Sequence, residues 1–287
     1  MSKVYVFYNP LSGHGKDPLD QEKMKGFFKD EECVFCDMTA PDTYGKTLHE
    51  IAEDEKLVIC GGDGTLNYFL NLSQDVPVKC KILFYPRGSG NDFARDLGKE
   101  PEKEPFDITK YVQHLPTVTV KGKTCKFING IGYGIDGYCC EEGDKQRAAS
   151  DKPVNYTSIA INGLLFHYKP TTATVTIDGV KHVFEKAWLA PTMNGRYYGG
   201  GMNAAPEQDR LHNDTLSVML FHGAGRIRTL AAFPSIFKGE HVKHKNMVTI
   251  LKGRDIKVEF DSPRALQIDG ETVLDVKEYT AKAPVSD

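Results

Sequence analysis

"GGDGT" (residues 61–65) follows the apolar run Leu57-Val58-Ile59-Cys60 and leads into Leu66-Asn67-Tyr68-Phe69-Leu70. The run reads as a buried strand and the following stretch as a helix, so the five residues form a strand-to-helix turn. A structural turn needs one or two glycines. Three around one aspartate imply that another group approaches the backbone closely. Two further turns carry the same punctuation. "NPLSGHGK" (9–16) follows Val4-Tyr5-Val6-Phe7-Tyr8, and "PRGSGND" (86–92) follows Ile82-Leu83-Phe84-Tyr85. Around these turns, strands are predicted at 4–8, 33–36, 57–60 and 82–85, with helices near 21–28, 43–53 and 65–72. That alternation predicts an α/β domain, a parallel sheet with helices on both faces. Ligands of such sheets sit beyond the carboxyl ends of the strands, where all three turns fall. Consecutive N–H groups of glycine-rich turns and helix N-termini suit a polyanion such as a nucleoside triphosphate. Asp63 would repel phosphate by itself, so it is expected to meet Mg²⁺ or a sugar hydroxyl.

After Pro116 the pattern changes. Strands are predicted at 117–120, 124–129, 172–177, 182–190, 215–221, 247–251, 255–260, 264–268 and 272–279, with helices only near 155–168 and 226–238. Short turns at Asp178-Gly179 and Gly253-Arg254 predict a mainly antiparallel second domain. The expected division is 1–120 and 121–287. Forty per cent hydrophobic and 26% charged residues over 287 exclude a disordered chain. A net charge of −3 gives no basic field, so nucleic acid is not an expected partner. Seven cysteines, with no zinc-like pairing, read as reduced thiols in a cytoplasmic protein. No apolar run approaches the roughly 18 residues of a membrane span. The N-terminal Met-Ser-Lys passes straight into a strand without a secretory segment.

Two tempting motifs fail. "SGHGK" is no P-loop, because Pro10 stands where the first glycine belongs and Asp17 follows Lys16. "GYGIDG" (132–137) has the spacing of a dinucleotide fingerprint, but the following "YCCEEGDKQRAASDKP" does not read as an amphipathic helix. His241 and His244, in "KGEHVKHKN", read as a solvated face. "LQIDGE" (266–271) reads as a hairpin turn, or as an acid that a second domain brings to the nucleotide.

The ordered set "NPLSGHGK", "GGDGT", "PRGSGNDFAR", "NGRYYGGGMNAAP", "KGEHV" and "LQIDGE" resembles the diacylglycerol kinase catalytic family, specifically its soluble bacterial lipid kinases, from residue 3 to about 275. "GGDGT" alone also resembles NAD kinases and, more loosely, phosphofructokinases. The family implies ATP with Mg²⁺ in the N-terminal domain, and a β-sandwich C-terminal domain that receives the lipid. By motif match the nucleotide contacts are Asn9, Ser12, Gly13, Thr39, Gly61, Gly62, Asp63, Gly64, Thr65 and Ser89. The resemblance makes Asp269 the general base with Glu271 beside it, and family accounts give either acid that role. The family's metal-binding run after the Ala-Pro segment reads "RLHNDTLSV" here. Asn213 stands where an aspartate belongs and Asp214 where glycine belongs, so Asp214 or Asp209 would only partly replace the ligands of that second metal, while Asp63 is the acid expected at the nucleotide's Mg²⁺. The expected reaction is phosphorylation of a lipid hydroxyl, diacylglycerol to phosphatidic acid, in phospholipid biosynthesis. Sphingoid, ceramide and phosphatidylglycerol acceptors stay open, as does the choice between monomer and homodimer. Peripheral membrane contact is expected, with "RIRTLAAFPSIFKGEHVKHK" (226–245) as a docking stretch or as a core helix followed by a solvated turn. The alternatives are an NAD kinase-like enzyme and a non-catalytic lipid- or nucleotide-binding protein. "PRGSGND" counts against the first, and both acids of "DGE" against the second.

Overall fold

The computed structural model describes residues 2–10, 19–40, 43–73, 78–150, 152, 154–212 and 214–284. The chain divides into two units, Met1–His114 and Leu115–Asp287.

In the first unit β1 (Lys3–Tyr8), α1 (Gln21–Phe27), β2 (Glu32–Asp37), α2 (Thr43–Glu50), β3 (Lys56–Gly61), α3 (Asp63–Leu72) and β4 (Lys81–Pro86) follow in order. Then come α4 (Asp92–Asp96), β5 (Phe106–Asp107) and α5 (Thr109–Val112). The sheet order is β2-β1-β3-β4-β5. Unbroken apolar runs make β1, β3 and β4 because both of their faces are covered. Val4, Val6, Val58, Cys60, Leu83 and Tyr85 pack on Met24 and Phe28 on one face. On the other, Phe7 meets Phe69 of α3 and Phe84 meets Phe93 of α4, edge to face with ring centroids 6.0 and 5.9 Å apart. Helices therefore cover both faces, as expected. The sheet is mixed rather than wholly parallel, because β5 runs antiparallel to β4. The connection between them carries the five-residue α4 and brings the chain back antiparallel.

The second unit begins with β6 (Thr117–Val120), β7 (Lys123–Lys126), β8 (Gly130–Tyr133), α6 (Ile135–Ala149) and α7 (Tyr156–Asn162), which continues as a π-helical turn at Gly163–His167. Next are β9 (Thr171–Ile177), β10 (Val180–Ala187), β11 (Thr192–Met193), β12 (Tyr197–Tyr198), β13 (Met202–Asn203), β14 (Leu216–Phe221) and α8 (Arg226–Ala232). Two 3₁₀ turns, Phe233–Lys238 and Glu240–Lys243, precede β15 (Val248–Gly253), β16 (Asp255–Ile268) and β17 (Glu271–Lys282). Residues 117–120, expected to close the first domain, are hydrogen-bonded here to β7 and β17. The two strands expected at 255–260 and 264–268 are one bent strand. Its register against β17 shifts between Glu259 and Arg264, so its first half pairs with β9 and its second with β8. This bend folds the antiparallel sheet over one core that includes Val118, Phe127, Tyr133, Val175, Phe260 and Tyr279. Tyr133 stacks on Phe260 with centroids 4.0 Å apart.

Three expectations are corrected. Residues 135–149 are helical, although the stretch after "GYGIDG" did not read as a helix. The buried face of α6 is built from Ile135, Asp136, Gly137, Cys139 and Gly143, so it is marked by small size more than by hydrophobicity. A Cβ on Gly137 would lie 1.9 Å from the Ala265 carbonyl oxygen, which shows how tightly α6 rides on β16. The motif still lacks a dinucleotide context, because β8 pairs antiparallel on both sides. Gly253-Arg254 is not a hairpin turn: β15 pairs with β14, and Asp178 accepts the N–H groups of Arg254 and Asp255 at 2.9 and 2.8 Å. His241 is fully buried rather than solvated, its Nε2 donating to the Ala204 carbonyl at 3.1 Å.

Candidate active site

The parallel register of the first unit decides where its turns emerge. Tyr8 pairs with Asp37 and Cys60, and Gly61 with Pro86, so Asn9, Thr39, Gly61–Thr65 and Ser89 all lie at or just past the same edge of the sheet. The chain runs outward from β1 to β2 on one side and through β3 and β4 on the other, so the topological switch point lies between β1 and β3. Ser12 and Gly13 lie outside the described residues. Thr39 is exposed, and its N–H and Oγ1 both donate to Asp37 Oδ1 at 2.7 Å. Ser89 is exposed at the tip of its loop.

The glycines of "GGDGT" serve different ends. A Cβ on Gly61 would sit 2.5 Å from the Thr65 side chain, and one on Gly62 would sit 2.9 Å from Gly88 Cα. Gly62 is glycine because the turn and its neighbour pack backbone on backbone, and Gly61 because the Thr65 side chain fills the space of its Cβ. Gly64 has open space around its Cβ position. It lies in the first turn of ten-residue α3, where N–H groups lack intrahelical acceptors and the helix dipole favours an anion. Asp63 has a protein partner that the sequence did not show. Its Oδ2 accepts from Asp92 N–H and its Oδ1 from Phe93 N–H, both at 2.9 Å. It caps α4, whose N-terminus balances its charge. Asn91, at φ 50°, closes the loop by accepting from Gly88 N–H at 2.8 Å and donating back to the Gly88 carbonyl.

In the second unit, Asp269 and Gly270 form the two-residue turn between β16 and β17, at φ 46° and 100°. The hairpin reading is therefore right in geometry, and the acid does more than turn the chain. Asp269 Oδ2 accepts from Ile128 N–H at 2.6 Å, while Oδ1 accepts from Asn129 and Gly130 N–H at 2.9 and 3.0 Å. Three successive N–H groups around one carboxylate make an anion nest filled from within the protein. The Asp269 charge also helps burial to push the Cys125 thiol up. Glu271, the first residue of β17, is exposed.

Loop 127–129 is pinned from its far side. Asn194 Nδ2 and Arg210 Nη1 donate to the Ile128 carbonyl at 2.9 and 2.8 Å, and Arg210 Nη2 donates to Asn129 Oδ1 at 3.2 Å. The N–H groups of Asn194 and Gly195 reach the Asn129 carbonyl at 2.9 and 3.2 Å. Asn129, Asn194 and Arg210 were not singled out from the sequence. The repeated Asn-Gly, at 129–130 and 194–195, was the available signal. Nothing local marks Arg210, whose partners lie 81 and 82 residues away. Asp136 was also missed. It is buried in the first turn of α6, its Oδ2 accepts from Gln267 Nε2 at 2.9 Å, and burial pushes its carboxyl up to about 6.

The metal assignments find little support in the chain. Among the described residues no three His, Cys, Asp or Glu side chains gather as a metal cluster. Asp214 is exposed and lies 3.5 Å from Arg254 Nη1. Asp209 binds the His212 ring at 2.9 Å and accepts two backbone N–H groups. Asn213 lies outside the described residues. All seven cysteines are free. Among the described residues no helix is long and apolar enough to cross a membrane.

Comparison with known proteins matches residues 3–120 to the diacylglycerol kinase catalytic domain. Residues 129–284, more than half of the chain, match the YegS C-terminal NAD kinase beta sandwich-like domain. A diacylglycerol kinase of Mycobacterium tuberculosis is 26% identical over 90% of this chain and 85% of its own length. One from Staphylococcus carnosus is 26% identical over 94% and 88%. The crystal structure of a diacylglycerol kinase from Bacillus anthracis superposes with a TM-score of 0.65, covering 98% of this chain and 93% of that one at 20% identity. That likeness speaks for the fold.

Proposed function

The chain belongs to the diacylglycerol kinase catalytic family of lipid kinases, and from that premise we propose that it transfers the γ-phosphate of ATP to the hydroxyl of diacylglycerol, giving phosphatidic acid and ADP. The observation that carries the nucleotide half is the shared strand edge, where the N-terminus of α3 and the open Gly64 backbone face outward beside Asn9, Thr39 and Ser89. Backbone N–H groups with room for a phosphate fit a triphosphate without needing a cationic side chain. Magnesium fits differently. With no described cluster of acids to cage it, the ion would arrive with the nucleotide, held mainly by phosphate oxygens and water, as Mg²⁺ commonly is. Bound there, it neutralises charge on the transferring group. Phosphoryl transfer asks the protein chiefly for positioning and charge stabilisation.

Proton acceptance from the lipid hydroxyl is assigned to the Asp269–Glu271 turn. A proton arriving at Asp269 must compete with three N–H donors, whereas Glu271 is exposed at the start of β17. The lipid is reached by peripheral contact from the cytoplasm. Ile227, 81% exposed, together with Phe166, Phe237, Arg228 and Lys238 offers apolar and basic groups to an anionic bilayer. Purified protein, labelled ATP and a panel of lipid acceptors in mixed micelles, with NAD as a further acceptor, test the whole reading. Phosphatidic acid should be the dominant labelled product, and vesicles with phosphatidylglycerol should raise its yield over neutral ones. Labelled NADP, or ATP binding without transfer to any lipid, would sink the proposal.

A further inference from the structure

We infer that Asp136 is a positioning residue for the Asp269–Glu271 turn, acting through the side-chain amide of Gln267. The inference rests on the proposed role of that turn toward the lipid hydroxyl. Gln267 is a two-ended tie. Its Nε2 donates to Asp136 Oδ2 at 2.9 Å, and its Oε1 accepts from Gly270 N–H at 2.6 Å. The two ends fix the amide in one orientation, because a carboxylate requires a donor and an N–H requires an acceptor. Gly270 follows Asp269 directly, so this bond and the three N–H groups on Asp269 hold adjacent residues of the turn.

The surroundings are shaped to admit the carboxylate. A Cβ on Gly132 would lie 1.4 Å from Asp136 Oδ2, and one on Gly137 would lie 1.9 Å from the Ala265 carbonyl. Only glycine at both places lets α6 bring Asp136 over β8 and β16. Asp136 is 9% exposed, and no charged side chain faces it, among the described residues, from β8, β16 or the glycine run 199–201. The nearby titratable groups are the Cys139 and Cys140 thiols of its own helix, both pushed up by burial and by the Asp136 charge. A buried, unpaired carboxylate is a poor stabiliser. Its protonation ends the demand for a donor: the new O–H can donate to Gln267 Oε1, the amide can turn over, and Gly270 N–H then loses its acceptor. The turn is held when Asp136 is charged and released when it is neutral.

The full-length protein, labelled with ¹⁵N, tests this through the Gly270 amide resonance followed from pH 4.5 to 8. In the wild type it should shift with a single inflection near pH 6. Asp136→Asn and Gln267→Leu should each remove that inflection. In mixed-micelle assays both variants should lower kcat roughly tenfold to a hundredfold, as small misplacements of reacting groups do, with KM for ATP unchanged and the acid limb near pH 6 lost. Should Asp136→Asn not fold, wild type against Gln267→Leu decides alone. A wild-type Gly270 without an inflection between pH 5 and 7, or one that persists in the variants, overturns the inference. If Gly270 follows Asp136 while kcat ignores both variants, the tie is real and the assignment of the turn to the acceptor is what fails.

Discussion

Asp63 and Asp269 stand in the same local sequence, an aspartate followed by glycine at a strand end, yet the two turns use it differently. The Asp63 carboxylate caps a five-residue helix 29 and 30 residues ahead, with one oxygen for each of two N–H groups. Asp269 gathers three N–H groups from an irregular loop 139 to 141 residues behind it. The glycines differ as well. Gly62 is pressed against Gly88, whereas Gly64 and Gly270 have free space. Glycine beside an acid therefore says that backbone is near, and only the structure says whose. In the first unit most of that backbone is protein, and the room left for phosphate narrows to the start of α3.

Asp269→Asn gives the largest expected effect. An amide presents one acceptor oxygen and a donor to a nest of three donors, so both chemistry and anchorage suffer. Turnover should fall about 10²–10⁴-fold if the turn supplies the base, equivalent to roughly 3–5 kcal/mol of transition-state stabilisation. The nest should lose about 1–3 kcal/mol of folding stability. Glu271→Gln separates the roles, since it leaves the nest untouched. Loss of kcat there with an unchanged unfolding midpoint makes Glu271 the base. Near-wild-type turnover in Glu271→Gln with a dead Asp269→Asn assigns proton transfer or anchorage to Asp269. Activity in both would remove the turn from the mechanism.

The same contrast explains what was legible. The apolar runs 57–60 and 82–85 and the three glycine-rich turns gave the first sheet and its ligand edge, because parallel strands are uniformly buried and their ends necessarily fall together. The long strands of the second unit were legible too, whereas Gly130–Tyr133 and the two-residue strands at 192–193, 197–198 and 202–203 were not. Nor were its bends: the strand expected at 124–129 ends at Lys126, and β8 starts only at Gly130, because Asp269 takes the N–H groups between them, a partner no local pattern reveals. Helix α6 escaped because Gly137, Cys139 and Gly143 bury a face by smallness. Asp269 was found by motif, but its partners Ile128, Asn129 and Gly130 lie 139 to 141 residues away, and Asp136 and Gln267 lie 131 apart, beyond what a one-dimensional pattern can join.

A paired substitution sharpens the contrast between crowded and open glycine. Gly62→Ala puts a methyl against Gly88 backbone and should cost about 1–3 kcal/mol through overpacking, with ATP affinity lost as a consequence. Gly64→Ala meets no protein atom in a helical first turn and should leave stability unchanged or raise it by about 0.4–1 kcal/mol. Calorimetric titration with a non-hydrolysable ATP analogue should nevertheless find Gly64→Ala weaker by at least tenfold, or about 1.4 kcal/mol. Unchanged affinity in a stable Gly64→Ala would take phosphate away from this turn.

Asp136 supplies a stability test of opposite sign to ordinary carboxylates. Its folded value lies above the ordinary aspartate value of 3.8, at about 6, so the native state binds the extra proton between those pH values. Stability from this group is full below about pH 4 and is lost as pH rises through 6, amounting to about 3 kcal/mol at most. Asp136→Asn should therefore unfold at higher denaturant than wild type at pH 8, by roughly 1–3 kcal/mol, with the advantage vanishing near pH 4. A variant less stable than wild type at pH 8 would mean that the charge supports the fold, contrary to its burial without a cation.

The smallest expected effect lies on the surface, at the run where the family resemblance expects a metal. Asp214 and Arg254 have side chains 58% and 52% exposed and approach to 3.5 Å, a geometry that typically contributes under about 1 kcal/mol. Asp214→Asn should change unfolding free energy by no more than about 0.5 kcal/mol. The informative measurement is the thermal midpoint with and without millimolar Mg²⁺ or Ca²⁺. An ion that binds only the folded state raises stability by RT ln(1 + [L]/Kd), so a site filled at 100 times its Kd adds about 2.7 kcal/mol. Wild type and Asp214→Asn should respond alike, because Asp214 stands beside a guanidinium and Asp209 is already engaged by His212. A cation-dependent gain present in wild type and absent from Asp214→Asn would restore the metal to this run, and with it a role for the carboxylate that the ion pair alone does not give.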